Sequence, residues 1–87
     1  MKYNYEVSRQ LERELDKLMR KNRRQFEIIL KKMSEILENP QHYKPLQHDM
    51  KGLRRVHIEK SFVLVFEIVE NENKVIFVDF DHHDNIY

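Results

Sequence analysis

The sequence predicts an α+β fold in the order β-α-α-β-β-β, an N-terminal strand and an α-helical hairpin packed on an antiparallel β-sheet. Three observations carry this. Apolar residues recur at helical spacing between about residues 8 and 38. The period switches to two near residue 53, where Arg55, His57 and Glu59 alternate with Val56 and Ile58. Two later runs, 62–69 and 75–80, are almost continuously apolar, as strands buried on both faces are.

The elements follow in order. Tyr3, Tyr5 and Val7 alternate with polar residues, a short strand signal. Ser8 is placed to cap a helix, with Glu12 one position late for a capping box. Val7, Leu11, Leu15 and Leu18 define an amphipathic helix over roughly 8–20, with charges filling the gaps. The run Arg20-Lys21-Asn22-Arg23-Arg24 breaks the stripe and reads as a turn. A second helix over roughly 23–38 buries Phe26, Ile29, Leu30, Met33, Ile36 and Leu37, and Asn39-Pro40 stops it. So short a turn makes the pair an antiparallel hairpin. Residues 40–52 form a loop with both prolines and the single glycine. Lys60-Ser61 and Glu70-Asn71-Glu72-Asn73 are polar turns, so the last three strands form an antiparallel meander. The helices cover one sheet face, and the other meets water or a ligand.

Eighty-seven residues make one domain, 1–87, that buries a modest share of its surface. There is no cysteine, which excludes a disulfide framework and thiolate metal sites and fits a reducing cytoplasm. Met1–Leu11 has no apolar core of a signal peptide, and the longest apolar run is too short for a membrane span. No membrane association is expected. Net charge is +1, but residues 1–60 hold 15 Lys/Arg against 9 Asp/Glu, while residues 61–87 hold 1 Lys against 6 Asp/Glu. A basic body with an acidic end offers nucleic acid one attractive face; mean hydropathy of −0.79 is equally the mark of any well-solvated chain.

Three clusters carry candidate chemistry. Arg54, Arg55 and His57 sit on the second strand, where period two places Arg55, His57 and Glu59 on one side. Asp81-His82-His83-Asp84 precedes Tyr87, and adjacent histidines at a strand end point opposite ways. Acid/base chemistry suits them better than metal ligation, since no HxxxH or HExxH spacing occurs. The basic turn Arg20, Lys21, Arg23 and Arg24 reads either as a solvated face or as a phosphate contact. Ordinary exposed charges explain each cluster taken singly. Together they hold the parts of a ribonuclease that works without metal or cofactor: a base for the 2′-hydroxyl, an acid for the leaving 5′-oxygen, and a cation for the charged phosphorane.

The segments Lys44-Pro45-Leu46, Lys51-Gly52-Leu53-Arg54-Arg55-Val56-His57-Ile58-Glu59, Phe62–Ile68 and His82–Tyr87, with the element order, resemble the RelE/ParE superfamily of toxin–antitoxin toxins. The likeness is strongest to its RelE/YafQ-like mRNA interferase branch. That resemblance implies a cytoplasmic toxin that cuts mRNA in the ribosomal A site, and a cognate antitoxin that neutralises it in a hetero-oligomer. By position, His57 and His83 match functional histidines, Arg55 a basic strand residue, and Tyr87 the final aromatic. Lys44, Lys51, Arg54, His82, Arg23 and Arg24 are the expected RNA contacts. The chain departs where Ser61 replaces an aspartate, Lys44 a histidine, and Val63 and His83 the arginines of RelE-like relatives, which predicts a slow enzyme or a rearranged site. The alternatives are a non-catalytic ParE-like toxin that binds DNA gyrase, and a degenerate member whose main role is binding its antitoxin.

Overall fold

The computed structural model describes residues 2–45 and 52–86, without the Ile86 side chain. The elements are β1 (Asn4–Val7), α1 (Arg9–Lys21), α2 (Arg23–Glu38), β2 (Leu53–Ile58), β3 (Phe62–Val69), β4 (Lys74–His82) and a final helical turn α3 (His83–Ile86), with short 3-10 turns at Pro40–His42 and Glu70–Glu72. The sheet order is β1-β4-β3-β2. The meander β2-β3-β4 is antiparallel as expected. β1 adds to the outer edge of β4 in parallel, with Tyr5 opposite Val75, so the sheet is mixed rather than purely antiparallel. The helical hairpin carries the chain from β1 at one edge of the sheet to β2 at the opposite edge.

Helix boundaries follow the caps. The Ser8 hydroxyl accepts the Leu11 N–H at 3.1 Å and starts α1. The Asn22 side chain accepts the Gln25 N–H at 3.2 Å and starts α2, so one residue both ends α1 and opens α2. Leu11, Ile29, Met33, Ile36 and Leu37 pack against Ile58, Leu64, Phe66, Val75, Phe77 and Phe80 in one core. The predicted stripe of α2 is buried at Ile29, Met33, Ile36 and Leu37, and fails at Leu30. Leu30 is 43% exposed, while the buried polar Gln25 takes a core-side position and donates to Glu59 at 3.1 Å.

A β-bulge sets which side chains of β4 face the helices. Val65 pairs with Asp79 but Phe66 with Phe77, so Val78 is an extra residue on β4. The extra residue lets both Phe77 and Phe80 enter the core, although three positions apart. It also leaves Asp79 and Asp81 in register with Val65 and Val63 on the helix-free face. The Ser8 hydroxyl donates to the bulged Val78 carbonyl at 2.6 Å while it caps α1. Ser8→Ala should therefore lose both bonds and cost about 1–2 kcal/mol, the upper range for a helix cap. Urea unfolding monitored by circular dichroism checks this; a cost near zero would mean that water replaces the hydroxyl at both partners.

The β1 edge is tied by charge as well as by the ladder. The Lys74 ammonium donates to Glu6 at 3.0 Å and lies 3.0 Å from Glu72. Hydrogen bonds to the two carboxylates hold its pKa above the ordinary value, so it stays charged at neutral pH. Among the described residues no helix is long and apolar enough to cross a membrane.

Candidate functional site

On the helix-free face, Arg55 pairs with Val65 and His57 with Val63 across β2 and β3, and Val63 pairs in turn with Asp81 on β4. Val63 and Val65 are buried at 0% and 4%, although both stand on the side away from the helices. The longer polar side chains in register on either side shield them. This face is split by charge: basic along β2, acidic along β4. His57 and Asp81 belong to one row, two strand spacings or about 10 Å apart.

The basic side opens into a cleft of about 360 Å³ lined by His42, Tyr43, Lys44, Arg55, Val56 and His57. Its far wall is the segment after α2. The Tyr43 ring packs edge-on against buried Phe66 at 5.8 Å. The Arg54 guanidinium donates to the Tyr43 carbonyl at 2.6 Å, and the Lys44 carbonyl accepts the Arg55 N–H at 3.0 Å. These bonds fix Lys44 beside Arg55 and His57. They also spend Arg54 on holding the wall; Arg54 pairs with Phe66, on the helix side of the strand. His42 was not expected. It lies in a proline-led turn with no periodicity to mark it, and only its nearness to Lys44 hinted at a role.

A second cluster closes the chain. His83 does not continue β4 but begins α3, its N–H donating to the Ser61 carbonyl at 2.9 Å. The His82 and His83 rings therefore do not point opposite ways, as strand geometry predicts; they stack at 4.7 Å and 27°. His82 in turn meets the Phe62 ring edge-on at 5.7 Å, and Phe62 stacks on Phe80 at 5.2 Å. Asp84 touches both histidines, with Oδ1 3.1 Å from His83 Nδ1 and Oδ2 3.5 Å from His82 Nδ1. Asp81 Oδ1 accepts the His82 N–H at 2.7 Å and the Asn85 amide at 3.2 Å, securing the turn. One ligand atom from each of His82, His83 and Asp84 lies within 4.8 Å of the others. Nearly parallel rings aim their lone pairs side by side rather than at one point, a poor arrangement for a single ion.

The basic turn between α1 and α2 sits at this same end. Arg24 pairs with Glu59 at 3.2 Å, and Glu59 is two residues from Ser61. Arg23 pairs with Glu27 at 3.5 Å and lies over the Phe26 ring. Glu59 does not share the face of Arg55 and His57 as alternation predicts. Its φ of 57° takes it out of the strand, and its carboxylate turns to Gln25 and Arg24. Glu59→Gly would relieve a left-handed backbone worth about 1 kcal/mol but leave the buried Gln25 amide without its partner, a cost of about 1–3 kcal/mol. The second effect should win, and a lowered urea midpoint checks it; a raised midpoint would show that water satisfies Gln25.

Of the expected site residues, the structure brings Lys44, Arg55 and His57 into one cleft. It brings His82 and His83 together at the end of β4, with Arg23 and Arg24 nearby on the α1–α2 turn. Lys51 and Tyr87 lie outside the described residues.

The chain and its fold, a helical hairpin on a β1-β4-β3-β2 sheet, match known proteins. A family model described as the ParE toxin of the type II toxin–antitoxin system parDE matches residues 5–87. The RelE4 protein of Methanocaldococcus jannaschii is 54% identical over 85 residues, covering 98% of this chain and 90% of that one. The chain belongs to the RelE/ParE superfamily of toxins of type II toxin–antitoxin systems. Solved structures share the fold. A variant of E. coli RelE in the free state aligns over 98% of this chain and 87% of its own, with TM-score 0.78 and 22% identity. YafQ in the E. coli DinJ–YafQ complex aligns over 100% and 99%, with TM-score 0.79 and 18% identity.

Proposed function

We propose that this toxin is a ribosome-dependent mRNA endoribonuclease that needs no metal, and that a cognate antitoxin neutralises it. The observation that carries this reading is the cleft itself: His57 beside the cations Lys44 and Arg55, on the one sheet face the helices leave open. A phosphate seated there meets two positive charges and an imidazole. His57 takes the proton of the 2′-hydroxyl, whose oxygen attacks the adjacent phosphorus. Arg55 and Lys44 stabilise the extra negative charge on the phosphorane. The P–O5′ bond breaks, His42, across the same cleft, gives its proton to the departing 5′-oxygen, and the products are a 2′,3′-cyclic phosphate and a free 5′-hydroxyl. His82, in register with Phe62 and packed on it, lies on the helix side of the sheet, so the His82–His83 cluster would meet a neighbouring part of the RNA rather than the scissile phosphate. Tyr87 would stack on a base from the chain end. The acidic β4 side disfavours any second path for the backbone.

Antitoxin binding is supported by relatives captured in complexes, RelBE2 of Mycobacterium tuberculosis and DinJ–YafQ of E. coli among them. It is supported too by exposed apolar groups: Tyr5 and Leu30 share a groove with Met33 between β1 and the hairpin, a surface for a segment that folds as it binds. Ribosomes and mRNA place the target in the cytoplasm.

Primer extension on a reporter mRNA in a translating extract, with EDTA added after translation is halted, tests the reading. Discrete cuts within codons at the A site, insensitive to EDTA, are expected. A folded protein that leaves mRNA intact would remove it. The family model that matches is that of ParE toxins, which favours a second reading, a toxin that binds gyrase without cleaving anything. Inhibition of DNA supercoiling by a chain that spares mRNA would establish that one.

A further inference from the structure

The cleft is a fork between β2 and the segment after α2. Pro45 stands opposite Arg54 in an antiparallel bridge, and the Lys44 carbonyl accepts the Arg55 N–H at 3.0 Å. Pairing continued in that register would set His42 opposite His57 and offer the His42 carbonyl to the His57 N–H. The pairing does not continue. The His42 N–H closes a 3-10 turn on the Asn39 carbonyl at 3.2 Å, and the Tyr43 N–H bonds the Pro40 carbonyl at 3.4 Å. Pro40 is buried, the Tyr43 ring packs on Phe66, and the Arg54 guanidinium holds the Tyr43 carbonyl. These contacts keep the wall off the strand, and the opening between them is the cleft of about 360 Å³.

The ladder decides where the His57 N–H points. In an antiparallel edge strand, alternate residues turn their N–H and C=O toward the neighbouring strand and away from it. The Gly52 carbonyl accepts the Ile68 N–H of β3 at 3.3 Å, while the Arg55 N–H turns away from β3 to Lys44. Both bonds put Arg54, Val56 and Ile58 in the ladder and turn Arg55 and His57 outward, in a register that runs unbroken from Leu53 to Ile58. The His57 N–H therefore leaves the sheet edge into the cleft, and among the described residues no acceptor outside the ladder meets it. We propose that this backbone N–H is a further donor to the substrate phosphate, an oxyanion contact built by the fork. The catalytic part of the inference rests on the nuclease reading above. His57 then serves the reaction twice. Its imidazole takes the 2′-proton, and its N–H bonds a non-bridging phosphate oxygen that gains charge in the phosphorane. A strand amide is fixed before the substrate arrives and stays neutral at every working pH, so it adds orientation to the charge of Lys44. Arg54 and Tyr43 touch no substrate; they hold the His42 carbonyl away from the donor it would otherwise satisfy.

Amide exchange and ligand titration, followed residue by residue in nitrogen–proton spectra of the full chain, test the proposal. In the free protein the His57 N–H should exchange at least about 10-fold faster than the Arg55 N–H, which Lys44 covers. Inorganic phosphate, or a dinucleotide with 2′-deoxyribose at the cut, should move the His57 amide proton downfield and slow its exchange, more than for the ladder amides of Val56 and Ile58. A response to the dinucleotide alone also supports the subsite and assigns it to the RNA backbone rather than free phosphate. A His57 N–H protected in the free chain, or unmoved by both probes while the Lys44 signals shift, would overturn it. A semisynthetic chain with an ester in place of the amide at residue 57 removes the N–H, keeps the imidazole and deletes no ladder donor. Its cleavage rate should fall by about 10²-fold, the lower end for a lost oxyanion donor. The control is an ester at Leu53, outside the cleft, which weakens the Gly52 carbonyl in its bond from Ile68 as the first ester weakens the Val56 carbonyl. It should cleave as the wild type does. Equal rates for the two esters in an active nuclease would overturn the catalytic part. A wild type that takes phosphate at the His57 N–H but leaves mRNA intact would instead remove the nuclease reading and keep the subsite.

Discussion

His57→Ala is expected to reduce mRNA cleavage by about 10²–10⁴-fold, the range a positioned general base contributes, while leaving the thermal melt unchanged. The two halves of this expectation come from one fact. His57 is exposed on the edge strand β2 and takes no part in the core cluster, and the β-carbon left by alanine still covers part of its register partner Val63. The imidazole therefore contributes little to the fold and is available to a ligand. Its charge environment suits the task, with Arg55 and Lys44 in the same cleft. Single-turnover cleavage measured beside a circular-dichroism melt separates the outcomes. A folded variant with wild-type cleavage would move the base elsewhere, and His42, across the cleft, is the next histidine to replace.

Phe66→Ala should cost about 3–5 kcal/mol and leave little folded protein at 37 °C. Phe66 is fully buried in the central strand, with Phe77 at 6.2 Å in the core and Tyr43 edge-on at 5.8 Å. Truncation would open a cavity under the segment that forms the cleft wall. Loss of function would then follow from the loss of Tyr43's seat even where the remainder holds. Urea titration gives the number directly. A cost below about 1.5 kcal/mol would mean that α2 collapses into the gap, against the rigidity expected of a close-packed core.

The meander and the helical hairpin were legible because their signals are local. Apolar stripes at period 3.6, a cap at Ser8, a stop at Asn39-Pro40 and alternation along β2 all lie within single elements. What escaped the sequence depends on pairings between distant segments. The parallel seating of β1 on β4 is invisible in a four-residue strand. The Val78 bulge changes the parity of β4, so counting along that strand misplaces every side chain beyond it. Alternation fails at Glu59 for a similar reason: the turn needs a left-handed residue, and Gln25 and Arg24, far away in sequence, reward a glutamate there. The candidate site was half legible. Arg55 and His57 share one face as alternation suggested, and Lys44, marked only by the family resemblance, lines the same cleft, but strand geometry misread His82 and His83, whose backbone turns helical after β4. Arg54 was read as a nucleic-acid contact from its charge alone, and a carbonyl eleven residues back takes its guanidinium.

The seating of β1 also sets the order in which this chain can become itself. Tyr5 finds its partner only in Val75, a separation of about 70 residues, whereas the hairpin and meander close over short spans. As the polypeptide emerges during synthesis, the helices can pair and β2 can meet β3 while the first strand is still waiting. Ser8, which caps α1 at once, cannot reach the Val78 carbonyl until the last strand exists. Completion of the sheet edge is therefore a late, long-range event, and a nascent copy of this toxin carries an unfinished sheet until β4 has been made.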